Sequence, residues 1–296
     1  MEREILKKCP ACGAEGLVPW LVSNDFFLTG EEFSIERCTS CDLLVTNPRP
    51  TEKESKKYYE SLQYISHTNA SGGAFEKLYQ LVRKIAIRKK ISLVKRFVSE
   101  GRILDVGCGT GEFLNAIQKK GFISAGVEPN ESARRYASET YRLDVFDTFN
   151  PDTFSPKSFN VITLWHVLEH IYPLHETLAG IHRVLDNRGV LIVALPNPES
   201  PDARIYGKFW AGFDLPRHIY HFTPAAVDQL FSGYGLKIVG RFPMYFDAFY
   251  VSLLSEKYRS GTLHYPRGIF NGLWSNLTAT FSGNNFSSLI YILKRK

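Results

Sequence analysis

The 296-residue chain has only five cysteines and two methionines, and it lacks any long uninterrupted apolar run. Its longest apolar stretch, "FPMYFDAFYVSLL", is interrupted by Pro243 and Asp247 and is too short to span a bilayer. No cleavable leader is expected, because "MEREILKKCP" is charged and has no apolar core. These absences predict a cytoplasmic protein without a membrane span. A dominant charge is missing as well. The 36 basic and 30 acidic residues leave a net charge of +6. That balance permits contact with nucleotides, phosphates or a membrane surface and requires none of them. An aromatic content of 14% supports a real core, and the length fits one main domain with additions.

The few cysteines are unevenly placed. Four of the five stand in "CPACG" and "CTSC", as Cys9, Cys12, Cys38 and Cys41. In a reducing compartment such pairs argue for metal rather than disulfides. Each C-x2-C turn brings two thiolates to one ion, and four thiolates match closed, tetrahedral zinc. The 25 residues between the pairs can hold a hairpin, with "GLVPWLV" and "EFSIERC" as its strands. A structural Zn2+ on these four cysteines is expected. Neither pair has the strand–helix surroundings of a redox C-x-x-C. Residues 1–50 are therefore read as a zinc-ribbon-like module.

Residues 51–100 read as a helical linker or cap. Thr51 can cap a helix starting at Glu52, and "HTNASGG" reads as a loop. From Phe75 to Ser99 the apolar residues recur at helical spacing, leaving a face with Arg83, Lys84, Arg88, Lys89, Lys90, Lys95 and Arg96. Such a face is ordinarily solvated. From Arg102 onward, strand and helix patterns alternate through "RILDVG", "FISAGVE", "RLDVF", "FNVITLW" and "GVLIVALP". That alternation predicts an α/β fold with a parallel sheet, helices on both faces, and a ligand at the carboxyl ends of the strands.

"ILDVGCGTGEFL" places Gly107, Cys108, Gly109 and Gly111 between the first strand of this sheet and its helix. Glycines there allow a sharp turn and close approach to a ligand. The position of a third dinucleotide-type glycine is taken by Glu112, whose charge would repel a pyrophosphate. Asp105 precedes the loop and is placed to receive an ammonium group. Glu128, in "GVEPN" with Pro129, ends the next strand, where a carboxylate accepts ribose hydroxyls.

Together "ILDVGCGTGEFL", "GVEPN" and "FNVITLWHVLEHI" resemble the class I S-adenosylmethionine-dependent methyltransferases, over about residues 100–195. "LPRHIYHFTPAAVDQLFSGYGLKIV" extends the resemblance to one broad bacterial subgroup, in which a four-cysteine module precedes the methyltransferase domain. The resemblance implies S-adenosyl-L-methionine as cofactor and a Rossmann-like, seven-stranded sheet over residues 101–296. The last strand, "SSLIYILKRK", would be antiparallel and pair with "GLKIVGRF", leaving an insertion at about 244–285 near the active site. It also implies that Trp165 and His166 line the methionine end of the cofactor.

Methyl transfer to a hydroxyl or carbon acid needs a base. His218 and His221, set among aromatics in "LPRHIYHF", are the first candidates, with His166 next; Arg217 is a candidate for pairing with a substrate phosphate or carboxylate. In ubiquinone-pathway O-methyltransferases the segment resembling "WHVLEH" has a carboxylate in place of His166 and can hold a divalent ion. Whether His166, Glu169 and His170 bind a second metal is left open, as is oligomeric state. The expected acceptor is a small molecule, such as a nucleotide-linked sugar or glycan precursor. The alternative is RNA, docked through the zinc module and basic helix. Nucleic acid is disfavoured because the module lacks interleaved basic and aromatic residues. A non-catalytic binding module is a third reading, opposed by the intact glycine loop.

Overall fold

The computed structural model describes residues 2–59 and 74–296; the loop expected at "HTNASGG" lies outside them. A short strand β1 (Arg3–Glu4) leads to the hairpin β2 (Leu17–Asn24) and β3 (Glu32–Cys38). These are the two strands expected between the cysteine pairs. Their register shifts between Pro19 and Leu21, where proline has no N–H to give the ladder. Strand β4 (Leu44–Thr46) pairs with β3, and β5 (Arg49–Pro50) pairs with β1. Helix α1 (Glu52–Ser55) starts after Thr51, whose hydroxyl accepts the Glu54 N–H. Helix α2 (Ala74–Lys95) follows.

The strand–helix alternation then unfolds as read: β6 (Gly101–Val106), α3 (Glu112–Gln118), β7 (Phe122–Val127), α4 (Glu131–Tyr141), β8 (Asp144–Phe146) and β9 (Phe159–Trp165). After these come α5 (Leu174–Val184), β10 (Leu185–Pro196), α6 (Pro201–Tyr206), β11 (Tyr220–His221), α7 (Pro224–Ser232) and β12 (Leu236–Pro243). Two long helices, α8 (Tyr245–Ser260) and α9 (Tyr265–Phe281), precede the last strand, β13 (Ser288–Arg295). The large sheet has seven strands in the order β12-β13-β10-β9-β6-β7-β8. Strand β13 runs antiparallel to both β10 and β12, as the resemblance implied.

Successive residues of a strand point to opposite faces, and here both faces are covered. Leu104, Ile162 and Leu191 join one buried cluster. Their neighbours Ile103, Val161 and Val190 join another, which Ile91 and Val94 of α2 and Phe113 and Ile117 of α3 close off. Lys84, Arg88, Lys89, Lys95 and Arg96 stay exposed on the outer side of α2. Arg83 and Lys90 depart from the solvated face. Arg83 pairs with Glu112 at the start of α3, and the Lys90 Nζ lies 4.4 Å from the centre of the Trp165 ring.

The N-terminal sheet has the order β11-β4-β3-β2, so its outermost strand comes from residue 220 onward. Tyr220 pairs with Val45, and His221 with Leu44. A buried ion pair strengthens this junction. Arg217, with its side chain 2% exposed, donates to Asp25 at 3.0 Å and grips Asp214 through Nε and Nη2 at 3.0 and 2.7 Å. Asp25 also accepts the N–H groups of Phe27, Leu28 and Thr29, which shapes the tip of the β2–β3 hairpin. Removing Asp25 would leave Arg217 paired with Asp214 but strip the acceptor from the hairpin-tip N–H groups and from one guanidinium N–H. Asp25→Ala is expected to cost about 1–3 kcal/mol for each buried donor left unsatisfied. A denaturation midpoint matching that of the unaltered protein would show that the hairpin tip does not hold the Arg217 segment.

Candidate functional site

Strand β6 ends at the glycine loop. Gly107 has φ +76°, and a Cβ on it would come within 2.3 Å of Val167. Gly109, at φ +55°, has nothing within 4 Å of such a Cβ, so this point of the backbone is open to a ligand. The Gly109 N–H donates to Glu128 Oε2 at 2.8 Å, and Glu128 Oε1 accepts from the Asn130 N–H at 2.9 Å. Glu128 is thereby held in place at the end of β7. A cavity of about 710 Å³ opens here, lined by Gly109, Thr110, Glu128, Asn130, Tyr136 and Arg83, among others. Asp105, Gly107, Cys108, Gly111, Pro129 and Trp165 lie outside its lining. Asp105 is 2% exposed, accepts the Thr163 hydroxyl at 2.5 Å, and is pushed up to about 7 by burial. The Cys108 thiol is buried and raised above its ordinary pKa, which leaves it inert.

A second cavity, of about 350 Å³, lies between His166, just past β9, and the segment 211–218. Helix α8 supplies another wall with Asp247, Tyr250, Val251, Leu254 and Tyr258. Phe27 reaches it from the tip of the β2–β3 hairpin. The cavity therefore has walls from the cysteine-rich module, the large sheet's loops and the α8 insertion.

The three candidate histidines behave differently. His166 has φ +57°, an uncommon conformation for a residue with a side chain. Its Nε2 lies 3.0 Å from Asp247 and its Nδ1 3.5 Å from Glu169. Burial opposes the charge on this ring, yet the bonds to Asp247 and Glu169 push it up to about 9. His166 is therefore a cation at neutral pH and unsuited to accept a proton. His218 goes the other way: burial, and then the neighbouring His170, pull it down to about 4. Its Nδ1 is 2.9 Å from the Gly212 carbonyl, so the proton sits there and Nε2 carries the lone pair. His221 does not line the cavity. The Thr46 hydroxyl donates to the His218 carbonyl at 2.8 Å and accepts from His221 Nε2 at 3.2 Å. This places His221 behind the site, fastening β4 to the His218 segment. Arg217 does line the cavity, but its guanidinium is committed to Asp25 and Asp214 rather than free for a substrate anion.

Among the described residues, two clusters could hold a metal. The Sγ atoms of Cys9 and Cys41 are 3.5 Å apart and those of Cys12 and Cys38 3.6 Å, all four within 4.8 Å of one another, and none is in a disulfide. Tetrahedral Zn–S bonds require sulfur separations of about 3.8 Å, so the donor set fits zinc. Near the second cavity, the atoms that come together belong to Glu169, His170 and His218. His166, grouped with Glu169 and His170 in the sequence, lies outside this cluster, with Nδ1 toward Glu169 and Nε2 bonded to Asp247.

Sequence reasoning missed Asp25, Asp247 and Lys90. Asp25 and Asp247 stand in a turn and an insertion, without a motif around them. Lys90 is one of a run of basic residues, and only the packing of α2 on the sheet singles it out.

A family profile described as "Methyltransferase domain" matches residues 78–240. The ubiquinone biosynthesis O-methyltransferase of Rickettsia canadensis is 25% identical over 199 residues, covering 62% of this chain and 84% of that protein. The proteins of the same name from Saccharophagus degradans and Histophilus somni are 27% and 30% identical, and this chain spans about half of each, 52% and 47%. The fold is similar to that of the Burkholderia thailandensis 1,6-didemethyltoxoflavin-N1-methyltransferase, solved with bound 1,6-didemethyltoxoflavin and S-adenosylhomocysteine. The TM-score is 0.52 and the identity 12%, with 94% of this chain and 99% of that one covered. The chain belongs to the methyltransferase-domain family.

Proposed function

We propose that the enzyme methylates a hydroxyl of a small polyhydroxyl acceptor, such as a nucleotide-linked sugar or glycan precursor, with His218 as the general base. The observation that carries this reading is the state of His218. Its ring is fixed through Nδ1 to the Gly212 carbonyl, which leaves Nε2 as the proton-accepting atom of a residue that lines a cavity large enough for a sugar-sized group. Asp214 and Asp247 add carboxylates for hydroxyl recognition, and Phe27, Tyr250 and Tyr258 add flat faces for stacking. The named O-methyltransferase relatives are consistent with a hydroxyl acceptor.

When bound, the donor supplies a methyl group already activated on a sulfonium. In this proposal Gly109 and Glu128 hold its nucleoside end and the backbone at His166 its methionine end, while the buried Asp105 braces the strand behind them through Thr163. The charged His166, tied to Asp247, fixes the wall between donor and acceptor. His218 removes the acceptor proton while the cavity walls exclude water. Two imidazoles with opposite protonation states thus divide the work.

RNA is the weaker reading. Phe26 stacks on Phe209 and Tyr258, Phe33 packs edge-on to Tyr58, and Arg37 pairs with Asp42. Phe26 and Phe33 of the module are thus used within the fold, and the charge of Arg37 is paired, which leaves Trp20 as its exposed aromatic.

The four cysteines are proposed to hold one structural zinc. Four thiolates leave no open position for a reacting atom, so the ion's part is to fold a segment with little core of its own. Bound metal can contribute on the order of 10 kcal/mol there. Metal analysis is expected to find about one zinc per chain. Cys38→Ser is expected to loosen residues 1–50 while donor binding stays intact. Metal-free protein with an ordered hairpin would overturn this assignment.

Glu128→Ala is expected to weaken donor affinity by about 1.5–3 kcal/mol for each charged hydrogen bond lost. Calorimetry with S-adenosylhomocysteine checks it, and an unchanged titration removes Glu128 from the site. His218→Ala is expected to leave that titration unchanged and to lower turnover on sugar-nucleotide acceptors by about 100-fold or more. Because burial holds the ring near 4, the acidic limb of kcat/KM should fall only toward that pH in the unaltered enzyme. Unchanged turnover in the variant would place the base elsewhere.

A further inference from the structure

The α8–α9 hairpin is built with its small residues inside and its large apolar residues outside. Helix α9 buries Gly268, Gly272, Ser275 and Ala279. A Cβ on Gly272 would come within 2.8 Å of the Phe249 backbone, and one on Gly268 within 2.7 Å of Leu253, both on α8. The opposite side of α9 carries Ile269, Phe270, Leu273, Trp274, Leu277 and Phe281, which are 49–88% exposed. Their spacing forms one stripe along the helix. A water-facing helix shows the reverse arrangement, with its large apolar residues turned inward. Small residues between helices and large apolar ones outside suit surroundings of hydrocarbon.

The charges of this segment point the same way. Between residues 244 and 287 the only acids are Asp247 and Glu256. Asp247 is bonded to His166, and the Glu256 side chain is fully buried against Tyr206 and Arg259. Three exposed cations, Lys257, Arg259 and Arg267, gather around the turn that joins the two helices and outnumber the one acid there, the buried Glu256, which faces Arg259 and, at 3.9 Å, Arg267.

We propose that the outer face of α9 rests on the surface of an anionic lipid bilayer. Among the described residues no helix is long and apolar enough to cross a membrane, so α9 would lie in the interfacial plane. Trp274 and Tyr265 suit the headgroup boundary, and the cationic turn suits anionic headgroups. The same α9 face of a second copy would offer no anionic group in return. Helix α8 lines the second cavity with Tyr250, Val251 and Leu254, so the contact would bring a lipid-carried acceptor within reach of the site. That consequence rests on the acceptor cavity proposed above; the bilayer contact does not.

Flotation of the full-length, zinc-loaded protein with vesicles tests the proposal. It should float with phosphatidylcholine vesicles containing phosphatidylglycerol, less with phosphatidylcholine alone, and less in high salt. The double substitution Phe270→Ser and Trp274→Ser should weaken vesicle binding by at least about 10-fold. The same variant should bind S-adenosylhomocysteine as before, which confirms that it is folded. Lys257→Gln with Arg267→Gln should remove the preference for anionic vesicles. Failure of the unaltered protein to float with either vesicle would overturn the proposal, as would flotation of the Phe270/Trp274 variant at the unaltered level. So would a concentration-dependent dimer abolished by that variant, which assigns the face to a second copy.

Discussion

The architecture around the acceptor cavity depends on one buried guanidinium. Arg217 joins Asp25, in the hairpin of the cysteine-rich module, to Asp214, at the start of the segment that carries His218. Desolvating three charged groups is costly, and only close, multiple hydrogen bonds offset it. Arg217 has them, and the Phe27 ring lies 4.7 Å from its guanidinium carbon. Beside this centre, Thr46 holds the His218 carbonyl and β11 completes the sheet of the module. The cysteine cluster, the hairpin tip and His218 therefore form one mechanical unit.

That unit links the module to the second cavity. The four cysteines cluster at one end of the hairpin, and Phe27 lines the cavity at the other. The remaining wall comes from α8, whose Asp247 meets His166. Donor loop, module and helical hairpin thus converge on a pair of imidazoles. The carboxylates beside His166 raise its proton affinity, while burial beside His170 lowers that of His218. Identical side chains acquire different charge states from their surroundings alone.

The α8–α9 hairpin combines two tasks. One face of α8 is shaped for the cavity, and small residues let α9 approach it closely. With its inward side occupied by glycine, serine and alanine, α9 has its large apolar side chains left on the outside. The exposed stripe is thus a consequence of how the hairpin closes, and it fits an apolar surface beyond the protein.

The sequence by itself determined the elements governed by local rules. The cysteine spacing marked the metal-type cluster, alternating patterns marked the large sheet, and the glycines after β6 marked the donor loop. Each depends on neighbours a few residues apart, such as a turn, a strand face or a helix cap. The antiparallel β13 and the insertion before it came from the family resemblance. Tertiary structure alone decided which histidine lines the second cavity. His218 and His221 are three residues apart and chemically identical in the sequence, yet one lines the cavity and the other holds Thr46. It also decided that Arg217 is a buried tie rather than a substrate clamp, and that Asp247 fixes His166. These roles arise from partners far away along the chain: 192 residues separate Asp25 from Arg217, and 81 separate His166 from Asp247. Burial and long-range charge set them, and neither is encoded in local spacing.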